Sequence, residues 1–98
     1  MEDLGTVWHI GGSQMSVPMC HEIKRRGYRL LLTDSNPDCA CHPLADEFSV
    51  VSVYDKAANL NYARSLPYKP VAVLTTGTDA GVEVSAVAAY FGLPAVDT

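Results

Sequence analysis

The sequence predicts a three-layer α/β/α fold built on a parallel sheet. Short apolar segments of strand length alternate with segments of helical periodicity along the chain, and this alternation is typical of right-handed βαβ crossovers. The strand segments show almost no polar alternation, as expected when helices cover both faces of a sheet. A chain of 98 residues accommodates one domain, so residues 1–98 are predicted to form a single unit.

Five segments have the composition of strands. They are residues 6–10, 28–33, 48–53, 71–75 and 93–96. β-Branched and aromatic residues dominate the first strand, and three consecutive leucines form the centre of the second. Crossover rules for alternating strands and helices favour the strand order 3-2-1-4-5, with a switch point between strands one and four.

The first predicted helix lies between strands one and two. It begins near Ser13 or Ser16, either of which can cap it, and Pro18 falls in its first turn. Its predicted inward stripe is Met15, Met19 and Ile23, with Cys20 beside it. Gly27 is expected to end it at the C′ position.

Two further helices are predicted in the second half. The second covers residues 56–66 after an N-cap at Asp55, although its apolar residues form no clean stripe. The third has the strongest helical periodicity in the chain, and Gly92 closes it. Its stripe consists of Ala80, Val84, Val87, Ala88 and Phe91.

Two glycine-containing turns follow strands one and four. The first consists of Gly11, Gly12, Ser13 and Gln14, and the second of Thr76, Gly77, Thr78 and Asp79. Parallel strands bring their carboxyl ends to one edge, so both turns are expected to open onto one crevice, with Asp34 and Asn36 at its flank. Backbone N–H groups at such turns can hold an anion. These ten residues are the predicted binding site, and turns at opposite ends of the molecule would contradict it.

Composition and charge exclude several classes of partner. The net charge is −4, which argues against a nucleic-acid or anionic-membrane partner. Hydrophobic residues make up 48% of the chain, enough to build a core. No apolar run approaches 18 residues and the N-terminus is acidic, so neither a membrane span nor a signal peptide is predicted. Three cysteines do not suggest a disulfide framework, and a cytoplasmic, reduced protein is expected.

Other chemistries fit the residues less well. A dinucleotide fingerprint fails at Ser13 and Ser16, although Asp34 stands where an acidic ribose ligand would be, and a P-loop is absent. Cys39, Cys41 and His42, with Cys20 and His21, do not have the spacing of a zinc knuckle, so no metal site is predicted. His9 is interpreted as a core histidine. No catalytic residue is predicted.

Four motifs, in their order and spacing, resemble the N-terminal domain of ATP-grasp enzymes. They are IGGSQ at residues 10–14, TDSNP at 33–37, LADEF at 44–48 and TGTD at 76–79. The similarity covers nearly the whole chain from Val7, and members like the carbamoyl-phosphate synthase large subunit and biotin carboxylase are the most similar. The ending FGLPAV resembles the segment that leads into the ATP-binding part of the family.

The resemblance implies a Rossmann-like pre-ATP-grasp domain. ATP-grasp ligases activate a carboxylate as an acyl phosphate, which an amine then attacks, and their first domain shapes the substrate pocket. ATP and Mg²⁺ would be held by later domains of a longer protein, so no cofactor is expected in this chain and no ligase activity is expected from it alone. The ten turn residues match the family's strand-end loops, whereas the Cys39–His42 loop matches no family site.

Two other functions remain open from the sequence. One is a stand-alone Rossmann-like module that binds a nucleotide or metabolite, and the other is an NAD-binding domain. The expected partners are a small-molecule carboxylate or other anionic substrate and the ATP-grasp domain of the same protein. An exposed edge of the fifth strand would favour a homo-oligomer.

Overall fold

A four-stranded parallel sheet forms the centre of the molecule. The computed structural model describes residues 4–77 and 79–94. Its strands are β1 (Thr6–Ile10), β2 (Arg29–Asp34), β3 (Glu47–Val50) and β4 (Ala72–Leu74). They pair in the order β3-β2-β1-β4, which confirms the predicted order for these four. The predicted fifth strand, residues 93–96, includes Ala95 and Val96, which lie outside the described residues.

β1 is the buried centre of the sheet. It pairs with β2 from Thr6↔Arg29 to Ile10↔Thr33, and with β4 from Val7↔Ala72 to His9↔Leu74. All five of its residues are buried. Because both neighbours run parallel to it, the chain leaves β1, β2 and β4 at the same edge of the sheet.

Three helices cover the two faces of this sheet. They are α1 (Val17–Arg25), α2 (Lys56–Ser65) and α3 (Gly81–Phe91), with short 3₁₀ turns at Gln14–Ser16 and His42–Leu44. No helix among residues 4–77 and 79–94 is long and apolar enough to cross a membrane. The helix boundaries follow local signals, since Gly27 (φ +91°) and Gly92 (φ +70°) adopt the left-handed conformation just past α1 and α3.

Alternate residues of each strand supply separate cores on the two faces, as the pleat requires. Trp8, Leu31 and Val73 pack with Ala63 of α2 and Val84 of α3. On the opposite face, Val7, Leu30 and Leu32 pack with Cys20 and Ile23 of α1. Helices on both faces explain why these strands carry continuous apolar runs, and the three-layer prediction is confirmed.

The predicted stripe of α1 is wrong at Met15. Cys20 and Ile23 are buried and Met19 is half-buried, but Met15 is 73% exposed. Met15 lies in the 3₁₀ turn before α1, where a three-residue period replaces the 3.6-residue period on which the stripe was based. Ser16 is the N-cap residue, but its hydroxyl makes no capping hydrogen bond because it points to another turn, described below.

β3 is shorter than predicted. The apolar run at residues 48–53 suggested a strand to its end, whereas β3 ends at Val50. Val51 and Val53 are nevertheless buried, in the loop that leads to α2. An apolar loop that returns to the core has the composition of a strand, so composition alone extends the strand too far.

The start of α2 is fixed by two side chains. Asp55 caps the helix by accepting a hydrogen bond from the Ala58 N–H at 3.0 Å, as predicted. Asn59 is fully buried, and its Nδ2 donates to the carbonyl oxygens of Ser52, Val53 and Asp55 at 3.0, 3.3 and 2.8 Å. Asn59 therefore ties the loop after β3 to the first turns of α2.

Replacing this amide by a carboxylate should destabilise the fold strongly. In Asn59→Asp, an acceptor would face three carbonyl oxygens in a buried site, and we expect a loss of at least about 3 kcal/mol in the free energy of unfolding. Asn61→Asp is the matched control, since Asn61 is exposed on the same helix and its Oδ1 accepts from Arg64. Urea unfolding measures both. Equal losses in the two variants would contradict the role assigned to Asn59.

Candidate functional site

The candidate site lies at the carboxyl edge of the sheet. The first turn follows β1 directly, the second follows β4, and Asp34 is the last residue of β2. The central position of β1 places the first turn between the ends of its two neighbours. This edge is where ligands bind in open α/β sheets. Of the predicted residues, Thr78 lies outside the described part of the chain.

The second glycine turn contacts the residues that flank the first turn. The His9 Nε2 and Thr76 Oγ1 atoms are 2.8 Å apart, and the Ser16 hydroxyl donates to the Thr76 carbonyl oxygen. The backbones approach so closely that a Cβ added to Gly77 would lie 2.3 Å from the Cβ of Met15. The prediction that both turns meet on one rim is therefore confirmed, while ligand binding there stays a prediction.

His9 bridges the two turns from inside the core. Its side chain is fully buried, and Nδ1 lies 2.6 Å from the Gly11 carbonyl oxygen. A carbonyl only accepts, so Nδ1 carries the proton, and in the neutral ring Nε2 accepts from the Thr76 hydroxyl. Burial lowers the pKa of His9 to about 4, although the hydrogen bond to Gly11 opposes this shift. His9 is thus neutral near pH 7 and acts as a structural bridge.

Asp34 braces the first turn rather than pointing freely into the crevice. Its Oδ2 accepts from the Gly12 N–H at 2.7 Å, and its Oδ1 accepts from the Asn36 N–H at 2.9 Å. The Gly11 N–H donates to the Thr33 carbonyl oxygen at 2.7 Å. The amides of both glycines are therefore already engaged within the protein. Asn36 is exposed, and its Oδ1 accepts from the Asp38 N–H.

Ser13 and Gln14 carry the N–H groups of the first turn that remain available to a ligand. Their N–H groups have no acceptor in the described part of the chain. The Ser13 Oγ is buried and also lacks a hydrogen-bond partner within residues 4–77 and 79–94. These N–H groups start the 3₁₀ turn that continues into α1, so they lie at the positive end of the helix dipole.

The loop after β2 packs against the first turn and forms a hydrogen bond with it. The Cys41 N–H donates to the Gly12 carbonyl oxygen at 3.0 Å, and the Cys41 thiol lies 3.5 Å from the Ser13 carbonyl oxygen. A Cβ on Gly12 would come within 3.0 Å of the Cys39 Sγ. A side chain at Gly12 would therefore crowd this loop. Sequence spacing gave no signal for this contact between residues nearly thirty positions apart.

The three cysteines are structural. Cys20, Cys39 and Cys41 are buried in one apolar cluster, and burial raises the pKa of each thiol. His42 stacks on Phe48 with ring centroids 3.9 Å apart. The described residues contain no group of three or more His, Cys, Asp or Glu side chains suited to a metal ion.

A pocket at the start of α3 was missed by the sequence analysis, apart from Asp79. Its lining residues are Tyr54, Asp79, Gly81, Val82, Glu83 and Ser85. Glu83 is only 8% exposed, and Tyr54 comes from the loop before α2. The sequence signal for this pocket was Glu83, a glutamate beside the apolar stripe of α3. This signal does not distinguish a pocket from an ordinary helix start, because glutamate is also common in the first turn of a helix.

No family model matches the chain. N5-carboxyaminoimidazole ribonucleotide synthase of Staphylococcus epidermidis is 34% identical over 56 residues, which are 57% of this chain and 15% of that protein. Phosphoribosylglycinamide synthetase from Anaerococcus prevotii superposes with a TM-score of 0.81 over 92% of this chain and 23% of that one, at 17% identity.

A third protein, also a solved structure, is similar to this chain over a small part of its own length. N5-carboxyaminoimidazole synthetase from Staphylococcus aureus, complexed with ADP, gives a TM-score of 0.62 at 24% identity over 76% of this chain and 19% of that one. The chain is related to the N-terminal region of ATP-grasp enzymes.

This relation confirms the ATP-grasp resemblance drawn from the four motifs. The solved ATP-grasp structures share the fold of this chain, and the sequence match to the synthase supports common descent. The matched segment spans about 15% of the length of the curated relatives. The finer similarity to carbamoyl-phosphate synthase and biotin carboxylase stays a prediction.

Gly77→Ala should push the second glycine turn away from the residues that flank the first. Both Gly77 (φ +68°) and Gly92 (φ +70°) have a left-handed backbone, but a Cβ on Gly92 would meet nothing within 4 Å. We expect Gly92→Ala to cost about 1 kcal/mol in unfolding free energy for the backbone alone, and Gly77→Ala to cost about 2 kcal/mol more because it displaces Met15. Urea unfolding compares them, and equal costs would contradict the contact.

The buried His9 should make stability fall on mild acidification. Its pKa is about 4 in the folded chain and about 6.5 when unfolded, so its contribution is complete above pH 6.5 and is lost as the pH falls from 6.5 toward 4. We expect a loss of about 2 kcal/mol between about pH 7.5 and pH 5.

Substitution of His9 separates its contribution to the pH dependence of stability from the titration of other groups. His9→Gln should be less stable at neutral pH but nearly insensitive to pH over the same interval, whereas His21→Gln, which changes an exposed histidine, should retain the full dependence. Urea unfolding at the two pH values provides the measurement. Retention of the dependence in His9→Gln would rule out His9 as its source.

Proposed function

We propose that this chain is the substrate-binding N-terminal domain of an ATP-grasp carboxylate–amine ligase and is inactive by itself. The observation that carries the proposal is the link between the two glycine turns through His9, whose Nδ1 bonds to the Gly11 carbonyl oxygen and whose Nε2 lies 2.8 Å from the Thr76 Oγ1. This contact forms one rim from residues 67 positions apart in the sequence. The relation to ATP-grasp enzymes supports a ligase over an unrelated α/β module.

The proposed role of the chain is to position the substrate. The free N–H groups of Ser13 and Gln14 would donate to a carboxylate or other small anion, assisted by the helix dipole. The braces from Asp34 and Cys41 hold these donors in place before the ligand arrives. A donor that is already oriented loses little entropy on binding, and fixed geometry favours attack on an activated carboxylate.

ATP and Mg²⁺ would be bound by other domains of a longer protein. The described residues contain no cluster of three metal ligands, so no residue of this chain is assigned to the metal. ATP would supply the phosphoryl group that activates the carboxylate. This chain would hold that carboxylate, and it would release the product when the anion is consumed.

Binding of inorganic phosphate and acetate to the 98-residue chain tests this role. Ser13 has φ −67° and ψ 171°, a backbone that proline also adopts, so Ser13→Pro removes one N–H donor without forcing a new conformation. We expect Ser13→Pro to weaken anion binding at least about tenfold. Ser13→Ala retains the N–H and should stay within about threefold of the original affinity.

Chemical-shift titration locates the site, and thermal unfolding confirms that each variant is folded. Phosphate or acetate should perturb the amide signals of residues 13 and 14 and raise the melting temperature. No perturbation of these signals at saturating anion would contradict the proposal. A larger stabilisation by NAD than by ATP or any carboxylate would instead favour a dinucleotide-binding module.

A further inference from the structure

Another pocket lies at the amino edge of the sheet, opposite the candidate site. Its volume is about 290 Å³, and its lining residues are Gly5, Thr6, Arg29, Tyr68 and Lys69. Thr6 begins β1, Arg29 begins β2, and Lys69 belongs to the connection that leads into β4. Because β1 lies between β2 and β4 and all three strands run parallel, three segments distant in the sequence converge on this pocket.

The lining of this pocket is positively charged, although the chain as a whole has a net charge of −4. Arg29 and Lys69 are its charged lining residues, and no carboxylate lines it. Within the described residues, neither the Arg29 guanidinium nor the Lys69 ammonium makes an ion pair or a hydrogen bond. Both cations are therefore available to a ligand.

Two carboxylates follow one another just outside the pocket, and both are already bonded. Glu47 accepts a hydrogen bond from the Tyr68 hydroxyl at 2.8 Å. Asp46 lies 2.6 Å from the Lys24 Nζ, and its second oxygen accepts from the Leu30 N–H at 2.7 Å. Because their oxygens have these partners, they do not replace a ligand at Arg29 or Lys69.

Helix dipoles do not account for the two cations. In a βαβ unit the helices run back to the amino edge, so α1 and α2 end there with the negative ends of their dipoles. Lys24 and Arg25 already occupy the last turn of α1, and Arg64 occupies that of α2. Arg29 lies in a strand and Lys69 in a loop, outside both helices.

Thr6 adds a neutral donor to the same pocket. It is only 8% exposed and lines the pocket, and its hydroxyl makes no hydrogen bond with the part of the chain that the structure describes. A hydroxyl can donate to the oxygen of an anion. The ligand that suits Arg29 and Lys69 therefore also suits Thr6.

We propose that this pocket binds the phosphate group of a small phosphate monoester. The Arg29 guanidinium presents a fork of N–H donors that matches two phosphate oxygens, and Lys69 supplies the second positive charge for a dianion. The Thr6 hydroxyl donates to a third oxygen. This site is separate from the anion site proposed at Ser13 and Gln14 and does not depend on the proposed function.

A titration of the 98-residue chain with methyl phosphate, followed by amide chemical shifts, tests the pocket. At about pH 8 a monoester carries two negative charges, since its second pKa is about 6. We expect saturable shifts centred on residues 5–6, 29 and 68–69, and at least about tenfold weaker binding of acetate, which carries one charge. Equal affinity for acetate, or equal shifts with sodium chloride at matched ionic strength, would overturn the proposal.

Substitutions assign the binding to particular cations. Arg29→Gln should weaken methyl phosphate binding at the pocket at least about tenfold, and Lys69→Gln at least about threefold. Lys56→Gln is the matched control, because Lys56 is an exposed lysine at the start of α2 that makes no ion pair with the described residues. It should leave the affinity unchanged. Unchanged affinity in Arg29→Gln would refute the assignment.

Two further variants separate the pocket from folding and from the anion site. Thr6→Val keeps the shape of the side chain and should weaken binding by about threefold, and thermal unfolding shows whether each variant is folded. Ser13→Pro should leave the shifts at the pocket intact while it impairs those at residues 13 and 14. Absence of shifts at the pocket, with those at residues 13 and 14 retained, refutes this inference alone, whereas the reverse refutes the anion site alone.

Discussion

The hydrogen bond between His9 and Thr76 is the interaction on which the rest of the site depends. It joins the end of the central strand to the turn after β4, and the Ser16 hydroxyl adds a second link to the same residue. A buried histidine can link them only while it is neutral, because a charged ring would be costly to desolvate. Burial therefore fixes both the protonation state and the geometry of the rim.

The glycines of the first turn have a different role from the one that their spacing suggested. Their N–H groups bond to Thr33 and Asp34, and Gly12 packs against Cys39 and Leu32. Glycine suits both positions, because a side chain at Gly12 would crowd Cys39 and Leu32 and because Gly11 has φ +88°. The donors that remain for a ligand lie one step further along, at the start of the 3₁₀ turn.

Local signals in the sequence predicted the fold well, and long-range contacts limited the prediction of the site. The cap at Asp55, the end of α1 at Gly27 and the stripe of α3 each depend on residues within one or two turns. The burial predicted for Met15 was wrong because a 3₁₀ turn interrupts the helical period. The hydrogen bond from Cys41 to Gly12 and the presence of Tyr54 and Glu83 in one pocket arise from topology, which leaves no periodic trace in the residues involved.

The free donors of the site lie at the first turn, and the His9–Thr76 link holds that turn against the second. The N–H groups of Ser13 and Gln14 lie at the positive end of a helix dipole, so they favour negative charge. Because the His9–Thr76 link fixes the spacing of the two turns, it would also fix where an anion bound at the first turn lies relative to the second. Such placement is the requirement for a ligation, since reaction depends on holding the reacting groups in attack geometry.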